Sequence, residues 1–293
     1  MEFSTEDDAI NYSIGVTAKY THPDDINKRL DDYQSYLSSA REGDKEYWQS
    51  EVDNLEEWIS SDEFINGEYP RGIDELVLEL IEWRAAIFAL QNIDTRNDPF
   101  KQHAFYAQWL VGGTYTIFCL LGKLVSKDGR DNSLRKLWGV VSGYIFQSGL
   151  PGDGEIDYIN EKMHPSQGQF TNENSQAMLY RNKVIAHNES LPRMEWSELD
   201  KDIELILRMW SLITMWSSIG IIGAFRESSQ VFSGTESVFT AEEIKLFLGQ
   251  RDIYLNKVKA WCTKSIRNGE QVSERSPFTS ISISISSVTR ENV

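Results

Sequence analysis

Residues 104–122 read AFYAQWLVGGTYTIFCLLG and residues 209–225 read MWSLITMWSSIGIIGAF, two runs without a charged side chain. How they are read decides the fold. A membrane-spanning helix needs about 17–25 predominantly apolar residues, so both runs sit near the lower limit. Tyr106, Gln108, Thr114 and Tyr115 dilute the first run, and Ser211, Thr214, Ser217 and Ser218 dilute the second. A lipid-facing helix carries fewer such groups. A helix that is apolar nearly all round, with scattered hydroxyls, is instead one buried on several sides, as the inner helices of a bundle are. No stable membrane insertion is expected.

The flanking segments agree with that reading. Ile26, Leu30, Tyr33 and Leu37 recur at helical spacing after His22-Pro23-Asp24-Asp25, and Trp48, Val52, Leu55 and Ile59 repeat it. The spacing predicts helices over about 24–40 and 45–60. Leu76, Leu80, Trp83, Ile87 and Leu90 mark a long helix over 73–93, the first uncharged run lies in one over 102–126, and Leu134 to Ile145 form another. Asn174 or Ser175 opens a helix, 196–225 holds the second run, and Thr240-Ala241-Glu242-Glu243 is a capping box for a last helix ending near Ile266. Residues 1–22 show no period and are expected to be loosely ordered, 151–173 are irregular, and Ser280–Ile285 alternates with period two in a Ser-rich tail. Long helices with few strand candidates define an all-α, multi-helix bundle.

The chain has 293 residues and a formal net charge of −16. Residues 1–70 hold 18 acidic against 5 basic side chains, and residues 71–293 hold 27 against 24. The acid is therefore concentrated in an N-terminal segment. There is no general basic footprint for nucleic acid or anionic membrane, and any such surface must be local. The acidic face Glu51, Asp53, Glu56 and Glu57 reads as a solvated helix face or as a surface for a basic partner. Cys119 and Cys262 sit in no Cys-x-x-Cys or Cys/His cluster, so neither a zinc site nor a disulfide framework is expected. No cofactor or metal is called for. The acidic opening MEFSTEDDAINYS lacks the basic start of a signal peptide, which points to the cytoplasm. Gly67, Pro70 and Gly72 divide an acidic helical extension, 1–69, from a helical bundle, 70–225, followed by a C-terminal helix and tail, 226–293.

Of the four histidines, His22, His103 and His164 have no partner pattern. His187 closes the stretch Arg181-Asn182-Lys183-Val184-Ile185-Ala186-His187-Asn188. This resembles the R-N-x-x-x-x-H motif of the HEPN superfamily, and Lys183, Ala186 and Asn188 resemble its bacterial abortive-infection and toxin members. The resemblance covers 70–225 and implies a four- or five-helix HEPN-like core with extra N- and C-terminal helices. It also implies a homodimer in which two motifs line one cleft.

An RNA-cleaving site without metal needs a proton acceptor for the 2′-hydroxyl, charge stabilisation at phosphorus and a proton donor for the leaving 5′-oxygen. A histidine titrates near neutrality when unperturbed, and an arginine offers a planar, permanently charged fork that fits phosphate oxygens. The resemblance therefore casts His187 as acid/base and Arg181 on the phosphate, with Asn182 orienting one of them and Lys183 and Asn188 binding RNA. On an ideal helix Arg181 and His187 stand about 120° apart, so either the helix is distorted at the motif or a second copy completes the site. Lys123, Arg130 and Arg193 are candidates for the rest of a basic groove, and Trp138, Trp210 and Trp216 for a dimer contact. The expected function is a metal-independent endoribonuclease of the toxin or phage-defence kind, with RNA as substrate and an antitoxin or activator as a possible partner. The alternative is a non-catalytic helical interaction protein that engages a partner through the acidic helices.

Overall fold

A computed structural model describes residues 3–17, 23–65, 72–93, 104–187, 189–190, 194–217 and 231–267. His22, His103, Asn188, Arg193, residues 218–225 and the Ser-rich tail lie outside the described residues. The helices are α1 (Glu6–Thr17), α2 (Pro23–Ser39), α3 (Lys45–Ile59), α4 (Asp62–Ile65), α5 (Ile73–Gln91), α6 (Ala104–Leu124), α7 (Leu134–Gln147), α8 (Glu155–Lys162), α9 (Gln176–Tyr180), α10 (Trp196–Ser217) and α11 (Ala241–Lys264). No strand occurs among the described residues; Pro151 and Ile266 form an isolated antiparallel bridge. The protein is an all-α multi-helix bundle. No described helix is long and apolar enough to cross a membrane.

One hydrophobic cluster joins α5, α6, α7, α8, α9, α10 and α11. Its centre is α10, where Ile203, Ile206, Leu207, Trp210 and Ile213 are buried. The hydroxyls that interrupt the second uncharged run have internal partners. Ser211 Oγ donates to the Cys262 carbonyl at 2.9 Å and Thr214 Oγ1 to the Trp210 carbonyl at 2.7 Å. A buried hydroxyl without a partner would be costly, so these bonds make the all-round burial of α10 tolerable. Thr240 and Glu243 form the expected capping box at the start of α11, with N···O distances of 2.9 and 3.2 Å.

Three elements depart from the sequence reading. Residues 6–17, expected to be loose, form α1 against α7 and α10. Its inward face is Ala9, Ser13 and Thr17, small residues at i, i+4 and i+8 that carry little hydrophobic signal but permit close approach. Residues 155–162, placed in an irregular stretch, form α8 on only two buried aliphatics, Ile156 and Ile159. α11, which the sequence division sets apart in 226–293, shares the main core through Tyr254, Leu255, Val258 and Cys262.

Buried ion pairs tie the bundle at three points. Arg84 on α5 binds Asp200 on α10 through Nε and Nη2 at 2.8 and 2.9 Å, and Tyr254 on α11 donates to the same carboxylate at 3.0 Å. Arg251 on α11 binds Glu82 on α5 at 2.9 Å. Arg208 on α10 makes a two-pronged contact with Glu155, the first residue of α8. By contrast, α2 and α3 pack on each other around a small cluster of their own, Tyr33, Val52 and Leu55.

Candidate functional site

The Arg181–His187 stretch lies on and just beyond α9. Ser175 caps that helix, its Oγ accepting the Met178 N–H at 2.9 Å and donating to Asp202 on α10. Phe118 on α6 packs against Tyr180 with ring centroids 5.1 Å apart. At Arg181 the helix changes character. Residues Arg181–Ile185 form a π-helical turn, and the Ala186 N–H reaches the Arg181 carbonyl, five residues back, at 3.0 Å. Single π turns inside α-helices are uncommon and frequently mark functional positions. The helix is thus distorted at the motif, one of the two outcomes its spacing demanded.

Arg181 is half-buried at a polar cleft of about 490 Å³ that it shares with Gly122, Lys127, Asn172, Glu173 and Asn182. Its Nη1 donates to Asn182 Oδ1 at 2.8 Å, and Asn182 Nδ2 donates to Asn172 Oδ1 at 2.7 Å. Among the described residues no carboxylate pairs with the guanidinium. It can lie there because α6 offers no side chain at Gly122: a Cβ at that position would stand 2.8 Å from Arg181 Nε. Gly122 is a site residue that sequence reasoning missed, because its role depends on an approach between two helices 59 positions apart.

The opposite wall is the loop from Met163 to Ser175. The backbone N–H groups of Ser166 and Gln167 donate to His164 Nδ1 at 3.4 and 3.3 Å, and Asn174 Nδ2 donates to the carbonyls of Gln167 and Gly168 at 2.8 and 2.9 Å. His164 is therefore a brace for this loop. Gly168 is obligatory: a Cβ there would fall 2.3 Å from the Lys162 carbonyl and 2.5 Å from that of His164. Asp202 anchors the loop from beneath, accepting Gln169 Nε2 at 2.9 Å as well as the Ser175 hydroxyl. Burial pushes the Asp202 carboxyl up to about 6, against the lowering effect of those two hydrogen bonds.

The remaining expected site residues are not gathered into this cleft. His187 is exposed on the turn after the π segment and does not line the cleft of its own chain. Lys183 is paired with Glu189 at 3.0 Å, which offsets the charge it was expected to offer RNA. Arg130 closes back on Asp128 at 2.6 Å within its own loop. Lys123 is exposed beside Gly122. Trp138 and Trp210 are core residues, at 2% and 0% exposure, and so cannot form a dimer contact; Trp216 is half-buried and donates to Glu6 at 2.9 Å. No family model, curated protein or solved structure matches the chain. Among the described residues no group of three His, Cys, Asp or Glu is placed to hold a metal ion.

A second cavity, also about 490 Å³, lies at Arg84, Phe88, Trp196 and Asp200. There the cation is already committed, held by Asp200 and covered by the Trp196 ring at 4.8 Å and the Tyr254 ring at 5.0 Å. Of these two cavities, the Arg181 cleft is the one in which no described carboxylate pairs with the guanidinium.

Proposed function

We propose that the protein is a metal-independent endoribonuclease of the HEPN kind, a toxin or phage-defence effector that acts as a homodimer. The observation that carries this reading is the Arg181 guanidinium, held at a polar cleft by the Asn182 amide and, among the described residues, by no carboxylate, inside a stretch that reads Arg-Asn-x-x-x-x-His. In a chain with 45 acidic side chains, a cleft arginine with no carboxylate partner among the described residues supports an anionic ligand. Arg181 holds the non-bridging oxygens of the scissile phosphate, and Asn182 fixes the plane of the guanidinium. His187 takes the proton from the attacking 2′-hydroxyl or returns one to the departing 5′-oxygen, giving a 2′,3′-cyclic phosphate and a 5′-hydroxyl. In this reading His187, exposed outside the cleft of its own chain, completes the pair across a twofold axis, where each copy presents the same turn to the other.

Purified protein incubated with RNA in excess EDTA tests this. The expected products carry 2′,3′-cyclic phosphate ends, and a single 2′-deoxy substitution at the cut site blocks cleavage there. Intact RNA, or cutting that survives the 2′-deoxy substitution, contradicts the reading. A second reading, a non-catalytic interaction protein, draws its support from the α2–α3 hairpin, which has its own apolar cluster and an acid-rich surface. It is distinguished by binding to a basic partner that is lost when Glu51, Asp53, Glu56 and Glu57 are changed to their amides, with no RNA cleavage by the unmutated chain under any condition.

A further inference from the structure

The reading above leaves unassigned a cation that shares the cleft with Arg181. Lys127 follows the end of α6 and lines the same cavity. Its Nζ donates to the Pro165 carbonyl, on the loop that forms the opposite wall. Among the described residues no carboxylate pairs with it, whereas Arg130 is bound by Asp128 and Lys183 by Glu189. The cleft lining holds a single acid, Glu173, which is exposed and pairs with neither Lys127 nor Arg181.

The surrounding segment points the same way. Residues 123–136 contain Lys123, Lys127, Arg130, Arg135 and Lys136 against Asp128 and Asp131, a local excess of three positive charges in a chain of net −16. Arg135 is half-buried and gives its donors to the carbonyls of Val125 and Met163, at 3.4 and 2.7 Å, so it brackets the cleft from below by joining the end of α6 to the end of α8. Lys136 is turned to the Gly129 carbonyl at 2.6 Å, which stiffens the loop. The segment is braced through its cations, and among the described residues Lys123, Lys127 and Arg135 form no ion pair, while Lys136 faces the carboxylate of Asp128. A local positive segment on an otherwise acidic protein concentrates a positive potential at one place and so draws an anionic ligand there.

We infer that Lys127 holds a second phosphate of the RNA strand, beside the one held by Arg181, and that segment 123–136 is the basic track along which the strand runs. The inference rests on RNA being the ligand of this cleft but not on His187 being catalytic. It places the substrate's continuation on the α6–α7 side of the cleft.

Binding of a labelled 12-nucleotide single-stranded RNA is measured on the full chain carrying His187→Ala, over 50–200 mM KCl, beside the same protein with Lys127→Gln or Lys127→Arg. Glutamine keeps a donor for the Pro165 carbonyl without the charge; arginine keeps both. Each phosphate contact adds about 0.7 to the slope of log affinity against log salt for a single strand. Lys127→Gln is expected to lower that slope by about 0.7, a loss roughly threefold larger at 50 mM than at 200 mM, with an unchanged melting temperature. Lys127→Arg is expected to keep the parental slope, as is Lys201→Ala, whose ammonium is paired with Glu198 at 2.7 Å on an exposed face. An unaltered slope in Lys127→Gln, or a parent that fails to bind the RNA at 50 mM, overturns the inference. If the parent binds with a Lys127-dependent slope while the unmutated chain leaves RNA uncut, the ribonuclease reading falls and the Lys127 assignment stands.

Discussion

At the scale of single residues the account turns on what surrounds one guanidinium. Gly122 is the clearest case, because stability and activity should move in opposite directions there. An alanine in the last turn of α6 is favoured over glycine by at most about 1 kcal/mol in helix propensity. Its Cβ would nevertheless stand within 2.8 Å of Arg181 Nε and displace the guanidinium. Gly122→Ala is expected to leave the melting temperature unchanged or raised and to lower RNA cleavage at least tenfold, measured by calorimetry and product yield on the same preparation. Asp202 gives a pH signature. Its folded-state value, about 6, lies above the ordinary carboxylate range, so the folded chain holds this proton more tightly than the unfolded one. The resulting stabilisation is complete below about pH 4 and is lost as pH rises through 6, a change of up to about 3 kcal/mol. Relative to parent, Asp202→Asn should therefore lack this decline between pH 4 and 7, read from urea midpoints at the two ends. Parallel pH profiles for the two proteins would contradict the assignment.

At the scale of elements, the site depends on how α8 and the loop after it are held. Glu155 opens α8 and is bound by Arg208 within the bundle, with Nε 2.7 Å from Oε1. Without Glu155 the buried Arg208 guanidinium loses its close partner and keeps only Glu204, at 3.6 Å. Glu155→Gln is expected to cost about 3 kcal/mol of unfolding free energy in chemical denaturation, whereas Glu173→Gln at the exposed cleft rim should cost under about 0.5 kcal/mol. Helices whose apolar residues recur at helical spacing were legible from sequence: α2 and α3 through aromatic and aliphatic stripes, α11 through Thr240 and Glu243. α1 was not, because its buried face is Ala9, Ser13 and Thr17, and such residues carry close packing without hydrophobic contrast. α8 was not, because eight residues with two buried aliphatics fall below any periodic signal. The π turn at Arg181–Ile185 has no composition of its own; the sequence indicated only that ideal helical geometry could not place Arg181 and His187 on one face.

At the scale of the molecule, the sequence marked the Arg-Asn pair but not the cleft around it. Lys127, Gly122 and Asn172 reach Arg181 through tertiary packing, and nothing local announces them. The same packing joins α11 to the bundle: Arg251 and Tyr254 bind Glu82 and Asp200 on two other helices. A chain ending at 225 is therefore expected to lose cooperative unfolding, read by near-ultraviolet circular dichroism. Retention of a native-like transition would show that α5 and α10 hold without it. The proposed twofold pairing requires a solution mass of twice 33.7 kDa by light scattering; a monomer at micromolar concentration would contradict it. The most direct test of the central claim is the rate of RNA cleavage in excess EDTA by the unmutated chain, Arg181→Ala and His187→Ala under identical conditions. Loss of about 100-fold or more in both variants, with unchanged folding and mass, is the result the account predicts. Cleavage at parental rate in either variant would contradict it.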